Sequence, residues 1–170
     1  AGFDARVYSY GHRNVQGIAF HPISGALTIA EHGPNHSDEV TRILAGGNGG
    51  WDPQDRPALS CPDGYCGYSG NPTTMPMTDL TRFPSALQPS WSNAGMSQGT
   101  GPLTFLVGPQ WRGWEGQIVV GIMGGQRLTR LVGVGASSTF ESEEIAMPAA
   151  RYRALTQGPD GSLYIAVDAG

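Results

Sequence analysis

The sequence predicts an all-β fold, and its short apolar runs, its turn residues and its low charge all favour this class. The apolar runs are bounded by glycine or proline and are too short for helices. Glycine (26 residues) and proline (13 residues) exceed average usage, and only 14% of the residues are charged. These frequencies are typical of many strands joined by turns. With 39% apolar residues, a chain of 170 residues can bury a sizeable core as one domain.

The strands follow one another in order along the chain. The run between residues 45 and 102 lacks periodicity and is too long for a plain connection, so we expect a loop excursion there. The predicted strands cover residues 5–9, 17–20, 26–30, 39–43, 103–107, 117–122, 127–132, 139–147, 152–156 and 162–167.

An internal repeat indicates how these strands are arranged. Residues 25–30, 116–121 and 161–166 share one pattern, and each copy follows another strand and a turn that contains proline. Repeated hairpins of this kind predict the blades of a β-propeller, and the whole chain, 1–170, would form about three of them. Hairpins that are similar by chance in a sandwich or barrel are the alternative.

Two cysteines, Cys61 and Cys66, lie within the loop excursion. No third or fourth ligand is near them in the sequence, which argues against a zinc site. A disulfide that closes a small loop is preferred over two free thiols, and it predicts a secreted, periplasmic or extracellular location.

Charge and hydropathy narrow the range of partners. The net charge is −4 and there is no basic run, which argues against nucleic acid. No apolar run approaches the ~18 residues of a membrane span. The chain opens without a signal-peptide pattern, so we expect a mature, processed or truncated chain.

Two polar clusters, residues 11–16 and 31–39, bracket the first predicted hairpin, where loops on a rigid scaffold usually carry function. Arg13 offers a planar fork for a carboxylate, and Asn14 and Gln16 both donate and accept hydrogen bonds. The turn at Gly33 and Pro34 can present backbone carbonyls, which hard cations prefer. The clusters therefore predict an anionic ligand assisted by a metal.

These clusters also carry a family resemblance. Gly-His-Arg-Asn-x-Gln-Gly-Ile-Ala-Phe from position 11, Glu-His-Gly-Pro-Asn from position 31 and Asp-Glu at position 38 resemble the soluble quinoprotein sugar dehydrogenases. These form the glucose/sorbosone dehydrogenase family. Arg-Tyr-Arg at position 151, followed by Gly-Pro-Asp-Gly at position 158, is similar as well, and the resemblance spans nearly the whole chain.

The resemblance implies a six-bladed propeller of four-stranded antiparallel blades, of which this chain supplies about half. The remaining half would come from the same chain or another one, because an open half-ring exposes unpaired strand edges. The implied activity is oxidation of the anomeric hydroxyl of an aldose sugar. It would depend on pyrroloquinoline quinone (PQQ) and calcium, with electrons passing to an external acceptor.

The resemblance also assigns roles to individual residues. The backbone carbonyls of Gly33 and Pro34 would bind the calcium linked to the cofactor, and Glu39 would serve a second, structural calcium. A simple turn and a solvated strand start are the alternative interpretations, as a surface ion pair is for Arg13. The residues that would contact PQQ are Arg13, Asn14, Gln16, Arg151 and Arg153.

The sequence departs from the family pattern in two respects. The family's general base is a histidine upstream of the matched region, so the chain is predicted to hold no catalytic residue and to be inactive alone. Gly124 stands where the family usually has a lysine, at a cost of about 1–3 kcal/mol in cofactor binding. A non-catalytic, secreted propeller that has lost its cofactor is the alternative function. The four histidines that do not occupy the place of the base are His12, His21, His32 and His36.

Overall fold

The computed structural model describes residues 4–51, 76–133 and 139–168. Within these ranges the chain consists of short strands and one 3-10 helical segment, Pro109–Trp114. The strands are β1 (Ser9–Tyr10), β2 (Val15–Phe20), β3 (Leu27–Glu31), β4 (Glu39–Ile43), β5 (Gly47–Asn48), β6 (Trp91–Ser92), β7 (Thr100–Phe105), β8 (Ile118–Ile122), β9 (Arg127–Gly133), β10 (Phe140–Ile145), β11 (Tyr152–Gln157) and β12 (Leu163–Val167).

The strands form successive antiparallel sheets. The first blade is a four-stranded sheet in the order β2-β3-β4-β6, and the second is a four-stranded sheet in the order β7-β8-β9-β10. Strands β11 and β12 pair with each other and begin a third blade, whereas β1 pairs in parallel with β5. The predictions of an all-β fold and of four-stranded antiparallel blades are therefore confirmed.

The first blade packs face to face on the second through a shared apolar core. Gly17 on β2 makes this close approach possible, because a Cβ atom there would lie 2.5 Å from the carbonyl oxygen of Gly101. Strands β2 and β7 therefore lie side by side. The buried residues of this core are Ala30, Val40, Leu103, Phe105, Ile118, Val120, Ile122 and Leu131.

A second core joins the second blade to β11. Tyr152 is buried, and its hydroxyl donates a hydrogen bond to the carbonyl oxygen of Pro148. A Cβ atom on Gly121 would lie 3.0 Å from Cβ of Tyr152, so the start of β11 lies directly against β8. This contact fixes the position of the two exposed residues on either side of Tyr152. The buried members are Leu106, Val119, Leu128, Tyr152 and Leu155.

Most predicted strands agree with the structure to within two residues at each end, but two differ by more. The strand predicted over residues 5–9 is wrong except at Ser9, because a turn closes between Val7 N–H and the carbonyl oxygen of Asp4 (2.9 Å). Strand β7 begins at Thr100 rather than at residue 103, and a register shift before Leu103 accommodates Pro102. The predicted disulfide between residues 61 and 66 lies outside the described residues.

The described part of the predicted excursion, 45–51 and 76–102, contributes β5, β6 and the first residues of β7. Within the described ranges, no helix has the length and apolar character needed to cross a membrane.

Candidate functional site

The start of β2 and the end of β3 bring the two polar clusters together. The two strands are in register at Val15 and Glu31, so the residues just before β2 face those just after β3. The carbonyl oxygen of Asn14 accepts a hydrogen bond from His32 N–H (3.0 Å). Arg13 donates through Nη1 to the carbonyl oxygen of His32 (2.8 Å) and through its backbone N–H to Glu31 Oε2 (2.8 Å). Arg13 and Asn14, both predicted from the sequence, therefore lie at one end of the first blade.

A row of side chains continues from these backbone contacts. Nε2 of Gln16 donates to Oδ1 of Asn14 (2.7 Å), and Nδ2 of Asn14 lies 3.5 Å from Nδ1 of His32. Nε2 of His32 is buried and has no hydrogen-bond partner among the described residues. Burial lowers the pKa of His32; the charge of Asp38 opposes this, and the charges of Arg13 and Arg153 add to it. The imidazole is therefore neutral near pH 7.

The loop after His32 is tightly folded. A Cβ atom on Gly33 would lie 1.7 Å from the carbonyl oxygen of His36, so only glycine fits there. The N–H of Gly33 donates to Oδ1 of Asp38 (3.0 Å). No described residue donates a hydrogen bond to the carbonyl oxygen of Gly33 or Pro34.

Asp38 holds this loop against the start of β7. Its carboxylate is fully buried and accepts hydrogen bonds from Gly33 N–H, Ser97 Oγ, Gln98 N–H (2.8 Å) and both the N–H and the hydroxyl of Thr100 (3.0 Å each). Burial alone would raise the pKa of Asp38, but these hydrogen bonds lower it below its usual value. The local sequence identifies Asp38 only as part of the Asp-Glu motif, because most of its partners come from residues about sixty positions away.

Glu39 and Glu31 are direct cross-strand partners on β4 and β3. Glu39 is only 5% exposed, so it is not the solvated strand start of the alternative interpretation. Its Oε2 accepts a hydrogen bond from the Thr78 hydroxyl (2.9 Å). Burial raises the pKa of Glu39 to about 8; the Thr78 bond opposes this, and the charges of Glu31 and Asp38 add to it.

Among the described residues, no group of three or more His, Cys, Asp or Glu is arranged to hold a metal ion. Any cation bound by this part of the chain would therefore depend on further ligands such as backbone carbonyls.

The two predicted arginines of β11 converge on one carboxylate. Nε of Arg151 and Nε of Arg153 donate to the same oxygen, Oδ2 of Asp168, at 3.2 and 2.8 Å. Nη1 of Arg153 also lies 3.0 Å from Sδ of Met123. The two guanidinium groups therefore lie together, as the spacing of the two residues predicts.

Gly124 lies on the turn after β8, next to Met123, which contacts Arg153. Its N–H donates to the carbonyl oxygen of Gln98 (2.7 Å), and a Cβ atom on Gly124 would lie 2.7 Å from that oxygen. A Cβ atom on Gly99 would lie 3.1 Å from Gly124 N and 3.7 Å from Cε1 of His32. His32 and Gly124 thus flank Gly99. The position without the expected lysine therefore borders the polar cluster.

Two of the other histidines have structural partners. His12 lies behind Arg13, where its ring contacts Ser9 Oγ and Glu31 Oε1 (3.4 Å). His21 accepts hydrogen bonds on Nδ1 from two N–H groups of the turn between β2 and β3, both at 3.2 Å. Both rings therefore have hydrogen-bond partners within the protein, whereas Nε2 of His32 has none among the described residues.

Several known proteins that resemble this chain are named as sugar or glucose dehydrogenases. An aldose sugar dehydrogenase from Escherichia coli K12 is 27% identical over 168 residues, which are 99% of this chain and 42% of the relative. Quinoprotein glucose dehydrogenase B from Acinetobacter calcoaceticus is 50% identical over 50 residues, which are 29% of this chain and 10% of the relative. A crystal structure of glucose dehydrogenase superposes with a TM-score of 0.76 and 34% identity, and the match covers 99% of this chain and 45% of that one.

The chain therefore spans less than half the length of these relatives. Its coverage of the superposed structure agrees with the prediction that it forms about half of a propeller. The family model described as glucose / sorbosone dehydrogenase matches residues 1–170. With the whole length matched, the chain belongs to the glucose/sorbosone dehydrogenase family.

Proposed function

We propose that the protein carrying this chain is a PQQ- and calcium-dependent dehydrogenase that oxidises the anomeric hydroxyl of aldose sugars. This chain would supply residues that hold the cofactor and the metal, and electrons would pass to an external acceptor. The proposed location is outside the cytoplasm, as the predicted disulfide implies. The observation that carries the proposal is that Arg13, Asn14 and His32 contact one another where β2 begins and β3 ends.

The donor set fits a cofactor that is rich in carboxylates. Burial lowers the pKa of His32, and the charges of two cations, Arg13 and Arg153, lower it further. Planar guanidinium groups suit carboxylates because they can donate two parallel hydrogen bonds. A buried imidazole nitrogen that lacks a partner among the described residues also indicates a partner from outside them. The site therefore has the cations and the donor that an anion of this kind requires.

The fold restrains the proposed cofactor-holding residues. Arg13 is held by the carbonyl oxygen of His32, and its guanidinium carbon lies 5.6 Å from the centroid of the Trp51 ring. Asn14 is held by Gln16, and Arg151 and Arg153 by Asp168. Restraint of this kind lowers the entropy that binding must overcome.

The turn at Gly33 and Pro34 fits a hard cation. Both carbonyl oxygens are free of described donors, and calcium prefers such oxygens. When bound, PQQ would supply an ortho-quinone that accepts hydride, and calcium would polarise its carbonyl. Removal of the substrate's hydroxyl proton is assigned to a base outside this chain, because the family's histidine base lies upstream of the matched region.

Titration with PQQ in calcium buffer tests the proposal in the complete protein. We expect a stoichiometric complex, seen as a change in quinone absorbance, and sugar-dependent reduction of a dye. Arg13→Gln should weaken PQQ binding by ten-fold or more, since a charge-assisted hydrogen bond contributes about 1.5–3 kcal/mol. Arg42→Gln is the matched control, because Arg42 is exposed on β4 away from the cluster. A protein that forms no PQQ complex would instead be the non-catalytic binding propeller, which the absence of a lysine at Gly124 favours.

A further inference from the structure

We infer that His32 is an additional cofactor-positioning residue, whose Nε2–H donates a hydrogen bond to an oxygen of the bound cofactor. The inference rests on the proposed function and extends the donor set that the sequence predicts. It starts from one observation, that Nε2 of His32 is buried and has no partner among the described residues. Leaving such a group unpaired is unfavourable in a folded protein, so a partner from outside the described residues is expected.

The row of amides beside His32 determines which ring nitrogen carries the hydrogen. Gln16 donates to Oδ1 of Asn14, and this turns Nδ2 of Asn14 toward the ring of His32. An amide nitrogen can only donate, so Nδ1 of His32 must accept. In a neutral imidazole the other nitrogen, Nε2, then carries the hydrogen. The unpartnered atom is therefore a donor, which selects an oxygen acceptor.

The backbone of His32 is fixed, so the donor has a defined position. Its N–H is bonded to Asn14 and its carbonyl oxygen to Arg13. The ring lies beside Gly99, where a Cβ atom would be 3.7 Å from Cε1. A Cβ atom at Gly99 would therefore be in van der Waals contact with the ring.

The surroundings of the ring favour an anionic acceptor. The guanidinium of Arg13 donates to the carbonyl oxygen of His32, and Gly124, where the family usually has a cofactor-holding lysine, lies close to Gly99, as the ring does. The donor of His32 thus borders the position where a cation is missing. A neutral donor there would replace part of the lost contact without adding charge.

Two substitutions of His32 distinguish the roles of its two ring nitrogens. The side-chain amide of glutamine can reach the position of Nε2, whereas that of asparagine reaches only the position of Nδ1. In the complete protein with calcium, His32→Asn should weaken PQQ binding about 10- to 100-fold, and His32→Gln should stay within about threefold of the unaltered protein. His21→Asn is the control, since its oxygen can still accept the turn hydrogen bonds, and its PQQ affinity should not change.

A second measurement needs neither activity nor a variant. In the unaltered protein without PQQ, ¹⁵N spectra of the histidine rings should show His32 as the Nε2–H tautomer, and adding PQQ should shift this signal. An Nδ1–H tautomer, or a His32→Asn variant that binds PQQ as tightly as the unaltered protein, would overturn the inference and leave the proposed function standing. A protein that binds no PQQ at all would overturn both.

Discussion

Oδ1 of Asp38 accepts a hydrogen bond from the backbone N–H of Gly33 at 3.0 Å, and this bond closes the loop between β3 and β4. The same carboxylate accepts N–H groups from the segment that leads into β7. A single buried side chain therefore holds the turn at Gly33 and Pro34 against the second blade. The geometry of the proposed calcium turn depends on Asp38, although Asp38 is not itself a predicted ligand.

The first prediction concerns Asp38→Asn. The amide has one accepting oxygen and would point N–H groups at donors, so several buried N–H groups lose their partner. We expect the free energy of unfolding to fall by about 2–4 kcal/mol, measured by urea denaturation of the complete protein. Asp160→Asn on an exposed turn is the control and should cost well under 1 kcal/mol. Equal losses in the two variants would contradict the role of Asp38.

The stability that Asp38 contributes also depends on pH. Its pKa in the folded protein is lowered, so the folded state favours the ionised carboxylate. The contribution is complete above the ordinary value of 3.8 and is lost as the pH falls through the lower folded value. The difference in stability between the unaltered protein and Asp38→Asn should therefore shrink below about pH 4. A constant difference down to pH 2 would contradict this.

The stability that depends on Glu39 should change with pH in the opposite direction. Its pKa rises from 4.5 to about 8 on folding, so the folded protein retains a proton that the unfolded chain releases. In calcium-free buffer, stability should fall as the pH rises from 4.5 to 8, by a few kcal/mol at most. Glu39→Gln should remove most of this dependence, as thermal unfolding across that range would reveal. A variant that keeps the full dependence would show that another group causes it.

Much of the fold follows from local sequence, because alternation and turn residues act over a few positions. The bounds predicted for β4 are those of the structure, and Gly25, with φ of 66°, lies in the turn between β2 and β3. The strand predicted over residues 5–9 is wrong because Arg6 and Val7 bond back to Asp4, a competition that periodicity does not register.

Some residues of the candidate site can likewise be predicted from the sequence, whereas others cannot. Motifs identify Arg13, Asn14 and Gln16, but the unpartnered nitrogen of His32 appears only when β2 and β3 bring Asn14 beside it. Asp38 is bonded to Thr100, a partner 62 positions away that no local pattern indicates. Long-range pairing of this kind depends on how the blades stack, and so it requires the structure.

Gly124 provides a steric prediction. A Cβ atom there would lie 2.7 Å from the carbonyl oxygen of Gln98, which also accepts N–H groups from Gly124 and Gly125. Gly124→Ala should therefore cost about 1–3 kcal/mol of stability. Gly124→Lys should lose as much and gain no PQQ affinity, because the backbone must move before the cation can bind.

Thermal unfolding and PQQ titration of the two variants measure both effects. Gly113→Ala is the control, since a Cβ atom on Gly113 would meet nothing within 4 Å. If Gly124→Lys bound PQQ more tightly at unchanged stability, the turn after β8 would be more adaptable than its contacts indicate.

The last prediction is that the 170-residue chain alone binds PQQ weakly and oxidises no sugar. The side chains of Arg151 and Arg153 are 47% and 43% exposed, and ion pairs in water contribute at most about 1 kcal/mol each. Ile18 and Phe20 on β2 are 62% and 66% exposed, so the outer face of the first blade lacks the cover that a neighbouring blade would give. General-base catalysis, typically worth about 10²–10⁴-fold, is assigned to a residue outside the chain.

Adding the remaining half of the propeller should restore both properties, because it would cover this face and supply the base. The comparison requires PQQ titration and dye reduction with the isolated chain, the complementing half and their mixture. Dye reduction by the isolated chain with PQQ, calcium and glucose would contradict the prediction, since it would require a base among the residues present here.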